Sequence, residues 1–357
     1  MCHYPAMLAG IVSMRKEVGY FGFMGGPRSM GRVGHRFLMH LLRKSAYQAY
    51  FMPYGNDFMQ GQWEPAVRSC ILEPPDRELE EVVHFCSVLE AGRVRNASKS
   101  ISWLFYELST VPPKVVEAIN TNDLVLVTSG FVGRVFREAG VTVPIRAMGH
   151  GYDPSVYVYR RRELEGRFEF LCVAEHTPRK NLPMLIRCFE QAFQGRQDVR
   201  LTLKLATHGE KDIRSYIRDS GMIRIRTDNV VDESKMAALY HEAHCFVLPT
   251  RGEGFGMPIL EGMATGLPMI VTGFGGHLDF TNEATAGLIR NRGLVDSDPE
   301  CFPFVQSQWA DPDPAHLVEL LRGVVKDYSA AQDKAEAAYR NIKEEWTWEA
   351  QLDREYP

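Results

Sequence analysis

The chain has 357 residues, 45% hydrophobic and 24% charged, with 30 Gly and 20 Pro, a composition that excludes collagen-like and broadly disordered classes. At roughly 150 residues per domain the length points to two domains, each able to bury its own core. A formal charge of -4 excludes the strongly basic footprint of a nucleic-acid binder. The balance is uneven, with 16 Lys and Arg against 13 Asp and Glu before Gly151 and 25 against 32 from there on, which suits two halves with different partners.

Seven cysteines (Cys2, Cys70, Cys86, Cys172, Cys188, Cys245 and Cys301) are scattered and form no Cys-x-x-Cys pair. That spacing argues against a disulfide framework or zinc site and for a reducing compartment. No apolar window of about 18 residues and no signal-peptide layout is found, so a cytoplasmic location is expected. The sequon Asn96-Ala97-Ser98 then reads as a chance match.

In chain order, residues 1–22 resist assignment. Helices are predicted over 34–46, 113–120 and 131–139, and strands over 100–107, 123–129 and 143–151. Gly151-Tyr152-Asp153-Pro154 interrupts the pattern and marks a change of domain. FEFLCVAEH (168–176) reads as a buried strand and NLPMLIRCFEQAF (181–193) as a helix. Then come a strand over 201–209, a helix over 211–221 with a Gly stop, and a strand at 228–231. ESKMAALYHEAH, CFVLPT, PILEGMATG and LPMIVT read as helix, strand, helix and strand, and 314–356 as helical. Such alternation means parallel sheets with helices on both faces. The expected architecture is therefore α/β, with two doubly wound, Rossmann-like domains facing across a cleft. They span 1–150 and 151–330, and a helix over 331–357 returns to the first.

The most informative stretch is PTRGEGFGMPILEGMATGLPMIVT (249–272). A buried strand ends at Pro249, a Gly-rich turn carries Glu253, and Pro258 takes the first helical position, with Glu261 in the first turn. Free N–H groups and a helix dipole there suit an anion at the carboxyl end of a sheet. The two flanking carboxylates suit hydroxyls, and an anion between hydroxyl-bearing groups describes a nucleotide-sugar. Glu253 and Glu261, with seven residues between them inside EGFGMPILE and followed by ATGLPMIVT, resemble the signature of retaining GT-B glycosyltransferases, above all glycosyltransferase family 4. The surroundings carry the resemblance further. SGFVGRVFREAGVTVPIRAMGHGYDP (129–154) is similar to the family's inter-domain passage, LCVAEHTPRKNLPMLIRCFEQAF (171–193) to its first donor-domain unit, and WTWEAQL (346–352) to its closing helix. Before residue 100 only GGPRSMGRVG (25–34) is suggestive.

The resemblance implies a retaining, metal-independent transfer of a sugar from a UDP- or GDP-linked donor to a glycan, lipid-linked or small-molecule acceptor, with no further cofactor. It implies that Glu261 holds the ribose. Glu253, with the N–H groups of Gly254, Phe255, Gly256 and Met257, would hold the transferred sugar. Arg179 and Lys180 would grip the diphosphate, whose charge grows as the glycosidic bond breaks. His150 and Gly31 stand as donor-side candidates. Two departures from the family pattern matter. Ala174-Glu175 replaces a frequent Gly-Arg, and where relatives place a His near the reacting carbon this chain offers Tyr106 and Glu107, of which Glu107 is the candidate acid or acceptor.

Each residue also has a plainer reading. Taken alone, Glu253 is a turn residue, Glu261 a helix-dipole partner, Arg179 and Lys180 a solvated turn, His150 a core or hinge histidine, Glu107 a capping partner, and Gly31 and Gly34 sites of close packing. GPRSMGR (26–32) imitates a phosphate loop but has Arg32 for Lys and Val33 for the Mg-binding hydroxyl; it reads better as a Gly-rich turn opening a helix, able to face the donor phosphate or the acceptor. Asp296-Ser297-Asp298 and Asp311-Pro312-Asp313 read as loop carboxylates and not as a metal pair. Arg28, Arg32, Arg36, Arg43 and Lys44 accompany Phe37, Leu38, Leu41 and Leu42, which suits a core helix with a solvated basic face; the alternative is peripheral contact with anionic membrane. Rival activities are a sugar-nucleotide epimerase or hydrolase and a non-catalytic nucleotide-sugar binder.

Overall fold

A computed structural model describes residues 15–24, 29–53, 65–71, 77–164, 166–205, 213–218, 221–227, 232–299, 301 and 305–357. The predicted strand at 228–231 and residues 25–28 of the Gly-rich segment lie outside the described residues. Two six-stranded sheets, wholly parallel, carry the two halves. The first contains β1 (Lys16–Gly22), β2 (Tyr47–Pro53), β3 (Leu79–Cys86), β4 (Ala97–Leu104), β5 (Leu124–Val127) and β6 (Ile145–Ala147), in the order β2-β1-β3-β4-β5-β6. Its helices are α1 (Ser29–Arg43), the short α2 (Pro65–Arg68), α3 (Pro113–Ile119) and α4 (Gly130–Glu138). Val33, Phe37, Leu38 and Leu41 recur at helical spacing on α1 and are fully or almost fully buried. Gly34 permits that seat, since a Cβ there would lie 2.3 Å from the Phe23 carbonyl oxygen.

The second sheet contains β7 (Phe168–Ala174), β8 (Val199–Leu205), β9 (Ile223–Arg226), β10 (Cys245–Leu248), β11 (Met269–Thr272) and β12 (Gly287–Ile289), ordered β12-β11-β10-β7-β8-β9. Between them run α5 (Leu182–Phe193), α6 (Glu233–Glu242) and α7 (Met257–Ala264). Strands such as CFVL and MIVT are buried at every position, as parallel strands covered on both faces must be. The order reverses direction between β10 and β7, and open α/β sheets bind ligands outside the strand ends at such a switch point.

Several elements differ from the sequence reading. Residues 16–22 form β1, and β2 and β3 were not foreseen. Within 211–221 the described part is a single 3-10 turn, Ile213–Tyr216. The segment 314–356 breaks into α8 (Pro314–Lys326), α9 (Tyr328–Ile342) and α10 (Trp348–Leu352): Asp327 ends α8 and caps α9 through its side-chain oxygen, while α9 ends at Lys343 and Thr347 caps α10. The two acidic triplets, expected in loops, overlap a ribbon instead: Asp296 ends β13 (Asn291–Asp296), which pairs antiparallel with β14 (Gln308–Pro312) containing Asp311, and Asp313 caps α8.

Two connections tie the halves together. Trp309 of the ribbon is buried in the core cluster of the first sheet, with Tyr106, Leu108 and Phe136. The chain end returns to α1: the Tyr356 carbonyl oxygen lies 2.8 Å from His40 Nε2, and Lys44 pairs with Asp353 at 2.7 Å. Tyr356 also donates its hydroxyl to the buried Glu81 of β3 at 2.7 Å. No helix among the described residues is long and apolar enough to cross a membrane. Cys70, Cys86, Cys172, Cys188 and Cys245 are buried in the interior.

Candidate functional site

The turns after β7 and β10, on either side of the switch point, bring the signature residues together. After β7 a 3-10 turn, Pro178–Lys180, carries Arg179 and Lys180. Asn181 follows in the left-handed region (φ 57), where Asn is among the tolerated residues. After β10 the Gly-rich turn presents Glu253. Lys180 Nζ lies 2.6 Å from Glu253 Oε1, and Arg179 lies 3.6 Å from the same oxygen. Arg179 also donates to the Gly252 carbonyl at 2.7 Å. Burial alone would push the Glu253 pKa up, but Lys180 and then Arg179 pull it down to about 2. The Glu253 carbonyl accepts the Gly276 N–H at 2.7 Å, which fixes its backbone.

The first half closes over this cluster. Glu107 lies 3.5 Å from Arg179, so one guanidinium spans two carboxylates from opposite sides of the cleft. The Gly254 carbonyl accepts from Thr128 and Ser129 hydroxyls at 3.0 and 2.7 Å, while the Gly130 N–H donates to Asp279 at 2.7 Å. Gly252 sits so close that a Cβ would fall 2.2 Å from the Glu107 carbonyl oxygen. Only a residue without a side chain permits that approach.

Gly256 (φ 97) caps α7 in a conformation that favours glycine. Met257 is the first helical residue and Pro258 the second, so Glu261 stands in the second turn and not the first as the sequence suggested. No hydrogen bond from the Gly254, Phe255, Gly256 or Met257 N–H groups is seen among the described residues, and the first N–H groups of a helix are free for an anion or hydroxyl. Glu261 is 2% exposed. It accepts the Tyr240 hydroxyl at 2.8 Å and faces Arg32 of α1 at 2.7 Å. Burial outweighs these partners and raises its pKa.

His150 is enclosed by the rings of Phe255 (4.9 Å), Trp103 (5.5 Å), Phe85 and Trp348 (both 5.8 Å). Burial, helped by the Arg32 charge, lowers its pKa to about 3, so the ring is neutral. The rings around it come from both halves, and its Nδ1 is buried without a hydrogen-bond partner among the described residues. Gly31 is buried in the first turn of α1. Of the basic residues expected on this helix, Arg32 and Arg36 face carboxylates across the cleft, Arg43 is exposed, and Lys44, just past the end of α1, pairs with Asp353; Arg28 lies outside the described residues.

Sequence reasoning missed four contributors. Arg32 was read as a surface base, Tyr240 and Glu233 were not singled out, and His277 was passed over. His277 is fully buried, with Nε2 2.7 Å from the Thr272 carbonyl oxygen. Only the Gly-Gly before it hinted at a tight turn. Among the described residues no group of three or more His, Cys, Asp or Glu is placed to hold a metal.

Residues 167–302 match the family described as glycosyl transferases group 1. Over 119 residues the chain is 29% identical to glycogen synthase of Mycobacterium tuberculosis, covering 33% of this chain and 24% of that protein. Over 266 residues it is 26% identical to D-inositol 3-phosphate glycosyltransferase of Pseudarthrobacter chlorophenolicus, covering 70% and 54%. The matched part thus spans about a quarter to about half the length of these curated relatives. Among solved structures, sucrose-phosphate synthase from Thermosynechococcus elongatus superposes with a TM-score of 0.71 at 13% identity, over 95% of this chain and 97% of that one. Anabaena HepE in complex with UDP-glucose gives 0.68 at 11% identity, over 95% and 97%. The fold is that of the GT-B glycosyltransferases.

Proposed function

We propose that the protein is a retaining, metal-independent glycosyltransferase of the family 4 type, moving a sugar from a UDP- or GDP-linked donor to an acceptor hydroxyl. The reading rests chiefly on one observation: Glu253, Lys180 and Arg179 converge within 3.6 Å at the switch point of the second sheet, facing Glu107 of the first. Glu261 receives the ribose hydroxyls, as the resemblance implies. Arg179, Lys180 and the N-terminus of α7 supply the positive charge for the diphosphate. That charge is fixed before reaction begins and is most valuable where the leaving group gains negative charge. Glu253, ionised at neutral pH, accepts hydroxyls of the transferred sugar, and the Gly254 to Met257 N–H groups bind its oxygens.

Retention follows if the acceptor hydroxyl attacks on the face that the diphosphate leaves. The C–O bond to phosphate breaks, the new C–O bond forms, and the departing phosphate oxygen takes the acceptor proton. Glu107 is positioned by Arg179 as the acceptor-side carboxylate. HepE, whose structure holds UDP-glucose, lends support to a UDP-sugar. A nucleotide-sugar donor and buried thiols suit a reducing cytoplasmic compartment. The test is a panel of UDP-, GDP- and ADP-sugars with glycan, lipid-linked and small acceptors, reading product and anomeric configuration by NMR. Wild type transfers with retention, and Glu253→Ala and Glu253→Gln do not transfer although both remain folded by circular dichroism. Undiminished transfer by Glu253→Ala refutes the site, and inversion refutes the mechanism.

A further inference from the structure

Arg32 reaches across the cleft to the carboxylate assigned to the ribose. Its NH1 donates to Glu233 Oε1 and to the Tyr157 hydroxyl, each at 3.1 Å, and its NH2 lies 2.7 Å from Glu261 Oε1. One turn later Arg36 donates to Asp153 at 2.7 Å and to Glu233, so the helix is anchored and Arg32 is held in register. The contact with Glu261 is nevertheless incomplete. It is close but not aligned as a hydrogen bond, and Glu261 Oε1 and Arg32 Nε are both buried without a hydrogen-bond partner. Glu261 Oε2 is already taken by Tyr240.

A buried polar atom left unpaired is costly, and here one acceptor and one donor lack an aligned hydrogen bond on a single guanidinium–carboxylate contact. A cation alone does not satisfy the Nε–H, and an anion alone does not satisfy the carboxylate oxygen. An alcohol satisfies both, because its O–H donates to Oε1 while its oxygen accepts from Nε–H. Admitting it requires α1 to draw back from Glu261 by the width of one hydroxyl group. We infer that Arg32 is a donor-binding residue supplied by the first domain, which with Glu261 clasps one ribose hydroxyl of the nucleoside diphosphate, so that the bound nucleotide bridges the two domains. The inference rests on the reading that Glu261 holds the ribose.

The test is calorimetric titration of the full chain with UDP, GDP and ADP, then with the 2′-deoxy and 3′-deoxy forms of whichever binds. Wild type should lose about tenfold in affinity when the clasped hydroxyl is absent, the usual scale for one charge-assisted hydrogen bond. Arg32→Met and Arg32→Lys should bind the parent nucleotide about tenfold more weakly and discriminate against the deoxy form less than about twofold. Arg32→Lys keeps the positive charge but has no Nε–H. Arg36→Gln loosens the same interface without touching Glu261 and should retain the wild-type discrimination. Full discrimination in Arg32→Lys, or tighter binding in Arg32→Met, overturns the inference. Glu261→Gln separates the two levels. If it leaves discrimination intact, or if no nucleoside diphosphate binds wild type, the ribose reading falls too; if it abolishes discrimination while the Arg32 variants do not, only the Arg32 assignment falls.

Discussion

Replacing Lys180 by Met removes the nearest positive charge from a carboxylate that is 5% exposed. The Glu253 pKa stands at about 2 against an ordinary 4.5, and a depression of that size stabilises the folded chain at neutral pH by ~3 kcal/mol. Arg179, at 3.6 Å, supplies part of this, so Lys180→Met should cost ~2 kcal/mol at pH 7. The sign follows from the direction of the shift. A folded pKa below the unfolded one gives stability that is fully present above about pH 4.5 and is lost as pH falls toward about 2. The difference between wild type and variant should therefore be largest at pH 7 and shrink as the pH falls through that window. Urea unfolding followed by tryptophan fluorescence at about pH 7, 5 and 3.5 measures it. A penalty under ~0.5 kcal/mol at pH 7, or one unchanged at pH 3.5, would refute the claim that Lys180 neutralises Glu253.

Other expectations concern how the halves are held. Trp309→Ala empties a buried site in the core of the first half and removes the ring under Arg251, 5.8 Å away; a loss of ~3–5 kcal/mol is expected from such a truncation, read as a lower urea midpoint. An unmoved midpoint would mean that the ribbon merely rests on that surface. Gly252→Ala forces a Cβ to within 2.2 Å of the Glu107 carbonyl oxygen. The cleft should part there, increasing the radius of gyration in X-ray scattering and slowing transfer. A variant with wild-type scattering and rate would show that the approach is adjustable.

Much of the second half was legible because its strands are buried on both faces. CFVL and MIVT read as continuous apolar runs bounded by Gly and Pro, and the helices between them begin at recognisable capping positions. β3 escaped because LEEVVHFC opens on acidic residues. Glu81 lies inside the sheet only because Lys16, Lys99 and Tyr356 meet it there, from positions 65, 18 and 275 residues away. The ribbon escaped because β13 is mostly exposed, and β14, though largely buried, owes the burial of Trp309 to the core of the first half and not to any alternation of its own.

The candidate site divides in the same way. Glu253, Arg179 and Lys180 lie on two short turns and Glu261 on the helix that follows one of them, a spacing that is local, so chain order alone pointed to them. The sequence by itself thus determined the two-domain α/β plan, the two turns after β7 and β10 and the residue types that suit an anion flanked by hydroxyls. The tertiary structure alone decided which charges meet. It set Glu107 against Arg179, placed Arg32 on Glu261 and turned His150 into a neutral ring among aromatics. The physical reason is that these contacts join opposite sides of a cleft. Their strength depends on how far burial strips water from both partners, and no periodicity along a chain encodes that distance.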